Sequence, residues 1–239
     1  MGQLRPVALS IAGLDPSSGA GLMADIKTFE AHKIYGLGVP TCITYQHDTT
    51  FQKAEWIALE RITAQLDLLK ERFHITYIKI GLIESLNLLD QLLTYLHTSL
   101  SNPYIIWDPV LKASTGHTFH TQPDAGLVES ICKKIYLLTP NIPEATLLGN
   151  SNQAMDNTKM LSSSCHVYLK GGHSDEKKGK DFLFTKEGKE FSYNPKQKQV
   201  SEKHGSGCVL SAAITANLAK KSSLHRACMN AKNYTAAFL

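Results

Sequence analysis

Residues 201–219 read Ser-Glu-Lys-His-Gly-Ser-Gly-Cys-Val-Leu-Ser-Ala-Ala-Ile-Thr-Ala-Asn-Leu-Ala, a polar turn that continues into a helix of small and apolar residues. Gly205 and Gly207 allow positive φ angles and a close approach of the backbone to a ligand. The first N–H groups of such a helix have no partner inside it, so with the helix dipole they predict a site for an anion such as a phosphate group. Cys208 falls on the first turn, where the same field favours a thiolate.

The same stretch also fits an ordinary glycine-containing loop before a core helix, with Cys208 as a buried structural thiol. Gly-Ser-Gly turns are common in proteins of every kind. Taken alone, the stretch leaves both interpretations open.

Length and composition describe an ordinary globular protein. The chain has 239 residues, enough for one large α/β domain or two small ones. Hydrophobic residues make up 43% and charged residues 19%, which excludes a disordered chain. The net charge of +4 is too small for a nucleic-acid footprint, and we expect no nucleic-acid partner. Lysines interleaved with acidic residues over 177–203 predict a solvated hairpin of mixed charge.

The cysteines and apolar runs indicate the compartment. Five cysteines form no C-x-x-C pair and no metal-binding spacing, which favours free thiols in a reducing cytosol. No run reaches membrane-spanning length, and the N-terminus lacks the apolar core of a signal peptide. We therefore expect a soluble cytoplasmic protein without a membrane partner. The last helix ends in Phe238-Leu239 with no cap, so we expect a few residues to follow in the natural chain.

Strands and helices alternate along most of the chain. The strand candidates are 7–13, 39–46, 75–81, 104–110, 135–139 and 165–173, with a hairpin of 181–185 and 190–193 around Gly188. The helix candidates are 22–33, 59–73, 86–100, 128–134, a helix opened by Pro143, the stretch after Gly205, and 224–239. This alternation predicts an α/β fold, a doubly wound and mostly parallel sheet in a single domain spanning 1–239. The glycine patterns are neither the dinucleotide fingerprint nor a Walker A loop.

Polar strand ends converge on one edge of such a sheet, where ligands bind beyond the carboxyl ends of the strands. The ends expected there are Gly13 to Asp15, Gln46, Gly81, Asp108, Asn141 with Glu144, Lys170 and the Gly205 loop. A phosphoryl-transfer site needs an anion cradle, a cation for the nucleotide phosphates and a group that positions the acceptor hydroxyl. The convergence favours that chemistry over the structural alternatives.

Each part of that site has a candidate. The amides of Gly205, Ser206 and Gly207 would stabilise charge on the transferred group. Asp108 and Glu144 would hold Mg²⁺ directly or through water, and Lys170 would reach phosphate oxygens as a point charge. Singly, Asp108 before a proline also fits a turn residue, and Glu144 also fits a favourable position near a helix N-terminus.

Residues 10–29, Ser-Ile-Ala-Gly-Leu-Asp-Pro-Ser-Ser-Gly-Ala-Gly-Leu-Met-Ala-Asp-Ile-Lys-Thr-Phe, resemble the N-terminal signature of the hydroxymethylpyrimidine/phosphomethylpyrimidine kinases of thiamine synthesis. The similarity continues in the same order at Gln46, 79–81, 108–110, 139–145, 169–173 and 204–208. It therefore covers nearly the whole chain. The family belongs to the ribokinase-like superfamily, which implies a three-layer α/β/α fold.

The resemblance implies transfer of the γ-phosphate of ATP to the hydroxymethyl group of 4-amino-5-hydroxymethyl-2-methylpyrimidine, and then phosphorylation of the monophosphate to the diphosphate. It implies a substrate pocket in which Gln46 hydrogen-bonds the pyrimidine, surrounded by Gly13, Ala20, Asp25, Leu82 and Val110. It places Asn141 and Glu144 at Mg²⁺ and phosphate, Lys170 near the ATP phosphates, Gly205 to Gly207 as the anion hole, and Cys208 where other ribokinase-like enzymes carry an aspartate base. We expect a homodimer that uses ATP and Mg²⁺, with a monovalent cation as a further candidate.

The chain departs from the family pattern at three places. Leu82 stands for the usual Met and Ser206 for the usual Thr, which keep an apolar wall and a hydroxyl. The usual Asn-Thr-x-Gly-Val after Gln46, a mobile flap in relatives, is replaced by His47-Asp-Thr-Thr-Phe51. Two alternatives remain open: a pyridoxal kinase of the same superfamily, and a pyrimidine-binding homologue that has lost catalysis.

Overall fold

A single nine-stranded sheet organises the chain in the computed structural model, which describes residues 5–112, 119, 123–171, 179–194 and 204–238. The strands are β1 (Val7–Leu14), β2 (Tyr35–His47), β3 (Thr50–Trp56), β4 (Tyr77–Ile80), β5 (Tyr104–Trp107), β6 (Leu137–Leu138), β7 (His166–Leu169), β8 (Asp181–Phe184) and β9 (Glu190–Tyr193). The helices are α1 (Gly21–Ala31), α2 (Leu59–Arg72), α3 (Leu86–Ser99), α4 (Ala125–Lys134), α5 (Ile142–Leu148), α6 (Ala154–Leu161), α7 (Ser206–Ala219) and α8 (Leu224–Phe238). Within these residues, none of the helices has the length and apolar content needed to cross a membrane.

The strand order is β3-β2-β1-β4-β5-β6-β7-β8-β9, and the six strands from β2 to β7 in this order run parallel. The chain leaves β1 toward β2 on one side and later returns to place β4 on the other side of β1. The carboxyl ends of β1 and β4 therefore flank the point at which the winding reverses, where open α/β sheets bind ligands. The predicted doubly wound, mostly parallel sheet is confirmed.

Helices cover both faces of the sheet and bury two separate cores. Helices α2 to α6 pack on one face around a cluster that includes Ile78, Leu92 and Trp107. Helices α1, α7 and α8 pack on the other face around Phe29, Ile106 and Ile214. Since strands buried on both faces need apolar residues in succession, short runs such as Tyr104–Trp107 suffice to form them. The three-layer α/β/α prediction is thereby confirmed.

Helix α7 is buried on every side. All residues from Val209 to Ala219 are buried, because α7 packs against β1, β4 and β5 below it and against α1 and α8 beside it. Alanines at 212, 213, 216 and 219 let these neighbours approach closely, and a helix that is apolar all round is a core helix. Its N-terminus consequently lies at the carboxyl edge of the central strands. Helix α7, with Gly205 as its N-cap, therefore lies at the centre of the fold.

Some elements differ from the sequence-based predictions. Residues 47–51, which replace the family's flap, contain the tight turn of a hairpin at 48–49, and the antiparallel strand β3 was missed. Helix α6 was also missed, because it is short and half of its eight residues are polar. The mixed-charge hairpin over 177–203 is confirmed only for β8 and β9, since residues 177–178 and 195–203 lie outside the described part. Leu239 also lies outside it.

A buried ion pair joins α1 to the centre of the sheet. The ammonium of Lys79 lies 2.7 Å and 3.0 Å from the two carboxylate oxygens of Asp25, and Ser10 donates to the same carboxylate at 2.6 Å. Both charged side chains are completely buried. Burial raises the pKa of Asp25 to about 6 against the attraction of Lys79. Burial alone would lower the pKa of Lys79, but the charges of Asp25, Cys208 and Asp108 and the hydrogen bond to Asp25 together outweigh it and the pKa rises.

Replacing Lys79 by Met should lower the free energy of unfolding by about 3–5 kcal/mol at pH 8, because it leaves the Asp25 carboxylate buried without its cation. The Asp25 pKa, raised already, rises further in this variant. The folded state then takes up a proton that the unfolded state does not hold, so the deficit should shrink as the pH falls to 5. Urea unfolding of both proteins at pH 5 and pH 8 measures it.

The control is the double variant Asp25→Leu, Lys79→Met, which removes both charges and should recover most of the loss. A Lys79→Met deficit that is equal at pH 5 and pH 8 would show that the lost stability comes from packing and not from the uncompensated carboxylate.

Candidate active site

Two loops that are distant in sequence touch at the carboxyl edge of the sheet. Gly205, the N-cap of α7, has a φ of 79°, and a Cβ atom there would overlap the carbonyl oxygen of Gly19. Gly21 has a φ of 57°, and a Cβ atom there would overlap the carbonyl oxygen of Gly13. Both positions therefore require glycine on two grounds, conformation and space. Backbone lies directly against backbone where the N-terminal loop meets the start of α7.

A side-chain bridge holds the same two loops together. The buried carboxylate of Asp15 accepts hydrogen bonds from the backbone N–H groups of Ser17 and Ala20, each at 2.9 Å, and from the hydroxyl of Ser17. His204 Nε2 lies 3.1 Å from the second oxygen of Asp15. Burial opposes the charge of Asp15, but the hydrogen bonds from Ser17, His204 and Ala20 lower its pKa overall. An ionised Asp15 thus ties residues 15–20 to the residue before Gly205.

The N-terminus of α7 faces Lys170. The first helical bond runs from the Val209 N–H to the Gly205 carbonyl, so the N–H groups of residues 206–208 precede it and have no partner within the helix. A Cβ atom on Gly207 would lie 3.3 Å from the Lys170 ammonium. Three backbone donors, the positive end of a long buried helix and an ammonium group therefore converge on one spot. Such an arrangement is suited to an anion, as the sequence predicts.

Lys170 is held by two carboxylates on different strand ends. Its ammonium lies 2.8 Å from Asp108 Oδ1 and 3.7 Å from Glu144 Oε2. Asp108 also accepts from the hydroxyl of Ser211 on α7 at 3.0 Å. Burial alone would lower the pKa of Lys170, but Asp108 and then Glu144 outweigh it and raise the pKa. The ammonium is consequently charged and fixed beside the start of α7.

Asn141 and Glu144 open helix α5 as a capping box. Asn141 Oδ1 accepts from the Glu144 N–H and Glu144 Oε2 accepts from the Asn141 N–H, both at 2.8 Å. Burial, with the nearby charge of Asp108, raises the pKa of Glu144 to about 7 despite the attraction of Lys170. This box orients the Asn141 amide and the Glu144 carboxylate toward the same strand end as Lys170, with which Asn141 forms an isolated parallel bridge.

The donor set fits a divalent cation. Asp108 and Glu144 share one ammonium, which leaves a net negative charge when both are ionised, and the charge of Asp108 adds to burial in raising the pKa of Glu144. Mg²⁺ in proteins is held by one or two carboxylates, retained waters and substrate phosphates. The described residues contain no cluster of three or more His, Cys, Asp or Glu side chains that could hold a metal by themselves. Such a pair suits an ion that arrives with a nucleotide.

Cys208 lies in the first turn of α7 and is partly exposed, but its thiol is not activated. Burial raises its pKa to about 11, and the charge of Lys79 and a hydrogen bond from the Gly21 backbone only partly oppose burial and the nearby Asp108 and Asp25. The expected thiolate is therefore wrong. The carboxylates and the loss of hydration outweigh the field of the helix.

The predicted substrate residues lie on both sides of the N-terminal loop. A Cβ atom on Gly13 would lie 3.2 Å from Leu82 Cδ2. A Cβ atom on Gly205 would lie 3.0 Å from Ala20 Cα. Gln46 is half-buried. It lies three residues beyond Ile43, the last residue of β2 that pairs with β1, so it is about 10 Å farther along the strand than that pair. It therefore stands above the loop. Val110 is partly exposed two residues after Asp108.

Asp25 does not line a surface. Its side chain has no exposed area and is bonded to Lys79 and Ser10, so a direct contact with substrate is not supported by the structure. Sequence reasoning placed Asp15 at this edge without a role, and it missed the contacts that His204, Lys79 and Ser211 make with the site. A charged residue inside the apolar run Tyr77–Ile80 was the available signal for Lys79. Nothing local could reveal the bridge between Asp15 and His204.

Comparison with known proteins agrees with this geometry. Residues 15–239 match the sequence model of the phosphomethylpyrimidine kinase family. A hydroxymethylpyrimidine/phosphomethylpyrimidine kinase of Staphylococcus aureus strain MRSA252 is 34% identical over 238 residues, which cover 95% of this chain and 86% of that protein. The crystal structure of a phosphomethylpyrimidine kinase from Clostridium difficile 630 superposes with a TM-score of 0.79 at 28% identity, covering 98% of this chain and 99% of that one.

A second group of solved structures is similar. The pyridoxal kinase of Staphylococcus aureus in complex with ADP superposes with a TM-score of 0.81 at 26% identity, covering 98% of this chain and 88% of that one. The three-layer α/β/α fold and these neighbours place the chain among the ribokinase-like kinases, which use ATP. The chain belongs to the phosphomethylpyrimidine kinase family, as its sequence motifs predict.

Cys208 should react slowly with iodoacetamide at pH 7, and its rate should rise about tenfold per pH unit up to pH 10, because a thiol with a pKa of about 11 is almost fully protonated at neutral pH. Mass spectrometry of the peptide containing Cys208 follows the reaction. The other cysteines, Cys42, Cys132, Cys165 and Cys228, are buried and provide an internal comparison. A rate at Cys208 that is already at its plateau at pH 7 would contradict the raised pKa.

Proposed function

We propose that this kinase transfers the γ-phosphate of ATP to the hydroxymethyl group of 4-amino-5-hydroxymethyl-2-methylpyrimidine and then phosphorylates the monophosphate. The observation that carries the proposal is the contact between the two glycine loops, because it would bring the proposed acceptor loop beside the proposed phosphate site. Family membership and the named relative in Staphylococcus aureus support the pyrimidine as acceptor.

In this proposal the γ-phosphate lies between Lys170 and the first N–H groups of α7. Charge that develops on the transferred group is stabilised by the amides of residues 205–207, which are already in place before the reaction. Lys170 contributes a fixed positive charge to the nucleotide phosphates. Since phosphoryl transfer passes through a loose transition state, positioning and electrostatic stabilisation account for most of the rate enhancement.

Cys208 would contact the acceptor hydroxyl as a neutral thiol. With a pKa of about 11 it is protonated at neutral pH, so it does not wait as a thiolate base. The proton of the hydroxyl can leave late, as the bond to phosphorus forms, and pass to an oxygen of the transferred phosphoryl group, so no strong base is needed. The proposed role of Cys208 is therefore to orient the hydroxyl as a neutral thiol.

The acceptor pocket would extend from Gly13 and Leu82 up to Gln46. The Gln46 amide has one acceptor and two donor positions and can pair with the edge of an aminopyrimidine. Asp25 supports this pocket from behind through Lys79, and Val110 borders it on the β5 side. The hairpin of β2 and β3, on the opposite side of β1 from β5, would close the pocket beyond Gln46, where residues 47–51 replace the family's flap sequence.

Three finer features are part of the proposal. Asp108 and Glu144 would hold Mg²⁺, which would neutralise phosphate charge during transfer. A homodimer is supported by Ile43 and Tyr45, which are 46% and 41% exposed beside the edge strand β3. A reducing, cytoplasmic location is supported by the five cysteines, which are all free thiols.

Initial rates of ADP release under saturating Mg-ATP test the function with three acceptors: the pyrimidine alcohol, its monophosphate and pyridoxal. Both pyrimidines should be turned over, with kcat/KM at least about 100-fold above that of pyridoxal, because the pocket pairs with the aminopyrimidine edge. Gln46→Ala should raise the KM for the pyrimidine alcohol about tenfold or more with little change in kcat. Gln52→Ala, on the exposed face of β3, is the matched control.

Faster turnover of pyridoxal would instead assign the chain to the pyridoxal kinases. Tight binding of the pyrimidine without ADP release would identify a homologue that has lost catalysis. An unchanged KM in Gln46→Ala would remove Gln46 from the pocket while leaving the reaction assignment intact.

A further inference from the structure

A second buried ion pair lies outside the site described above. Lys232 on α8 places its ammonium 2.6 Å from Asp181 Oδ2 at the start of β8. The Asp181 side chain is 4% exposed and that of Lys232 is 16% exposed. Nothing in the proposed chemistry uses either residue. Removing these charges from water is costly, and only their attraction and hydrogen bonds offset that cost, so the groups that the pair holds in place indicate its role.

Asp181 holds the end of β7. Its Oδ1 accepts the backbone N–H of Gly171 at 2.8 Å, and its Oδ2 accepts the hydroxyl of Tyr168 at 2.8 Å. Gly171 follows Lys170 directly in the chain. One buried carboxylate therefore fixes the backbone on the carboxyl side of the lysine that faces the anion site.

Lys232 holds the point at which the chain returns. Its ammonium donates to the carbonyl of Gly179 at 2.6 Å, and the Gly179 N–H donates to the Gly171 carbonyl at 3.0 Å. A Cβ atom on Gly171 would overlap the carbonyl oxygen of Lys180, so these chain segments are in direct contact. The exit of the chain at Gly171 and its return at Gly179 are thus fixed by one ion pair.

The other side of Lys170 is held independently. Its backbone N–H donates to the Pro140 carbonyl at 2.8 Å, next to the capping box of α5. The ammonium of Lys170 is held by Asp108, whose Oδ1 lies 2.8 Å from it. With Pro140 on one side and Asp181 on the other, the height of Lys170 along β7 depends on both anchors. A shift of Gly171 would move the ammonium relative to the first turn of α7.

We propose that Asp181 and Lys232 are positioning residues for the nucleotide end of the site, which set the placement of Lys170 and of the backbone after it. This inference rests on the proposed contact of Lys170 with the nucleotide phosphates. It links the last helix of the chain to phosphate binding, although α8 packs on α7 and β9 and lies behind the site.

Kinetic constants of the whole protein test the proposal. Lys232→Met should raise the KM for ATP and the dissociation constant of ADP about tenfold, because misplacement of a charged ligand by a fraction of an ångström weakens its contact. The KM for the pyrimidine alcohol should stay within about twofold, since the acceptor side has no contact with this pair. Lys232→Arg keeps the charge and should restore most of the ATP affinity.

Two further variants make the result specific. Asp181→Asn keeps the shape of the side chain and should produce the same selective loss of ATP affinity. It replaces Lys232→Met in the test if that variant fails to fold. Lys221→Met is the matched control, because it removes a lysine that follows the far end of α7 and contacts Tyr77, through its hydroxyl at 3.1 Å and its ring, with no carboxylate partner among the described residues. This control should leave the KM for ATP unchanged.

A lower melting temperature in Lys232→Met and Asp181→Asn with unchanged KM for ATP would overturn the proposal and leave the pair a purely structural clamp. Lys170→Met separates this failure from a failure of the site. If Lys170→Met weakens ATP binding while Lys232→Met does not, only the positioning role is wrong. If Lys170→Met has no effect on ATP binding, the proposed phosphate contact is wrong and the positioning role is overturned with it.

Discussion

The contact between Gly205 and the carbonyl of Gly19 is the constraint on which the site depends. The two residues are far apart in sequence, and a single methyl group at Gly205 would separate them. Helix α7 can bring its N-terminus to this contact only because its other sides are buried against the central strands and two helices. The Asp15–His204 bridge then fixes the lateral position of the two loops. The start of α7 and the N-terminal loop are consequently held together by direct contacts.

The charged groups beneath this contact already form ion pairs with one another before any ligand binds. Lys79 pairs with Asp25, and Lys170 is shared by Asp108 and Glu144. Two of these carboxyl groups, Asp25 and Glu144, have raised pKa values, which indicates that burial costs them more than their partners return. A nucleotide with its cation would change this balance at Lys170 and leave the Lys79 pair untouched. The first pair supports the architecture, and the second is available for phosphate.

Much of the fold follows from patterns that are local in sequence. Buried strands such as Tyr104–Trp107 and the small-residue helix after Gly205 show their environment in their composition. Strand β3 was missed because its pairing with β2 leaves most of its residues exposed and hence polar. Site residues with a motif, such as Asn141 and Glu144, could be placed in advance. The raised pKa of Cys208 could not, because Asp108 and Asp25 reach it only through the tertiary fold.

Hydrogen exchange of the whole protein tests most directly whether the two loops form one site. We would measure exchange in peptides covering residues 13–25 and 204–210, with and without ADP and the pyrimidine alcohol together. The account predicts slower exchange in both peptides on binding, and no change in helix α4 (Ala125–Lys134), which packs on the opposite face of the sheet. Protection of only one of the two loops, or of neither, would contradict it.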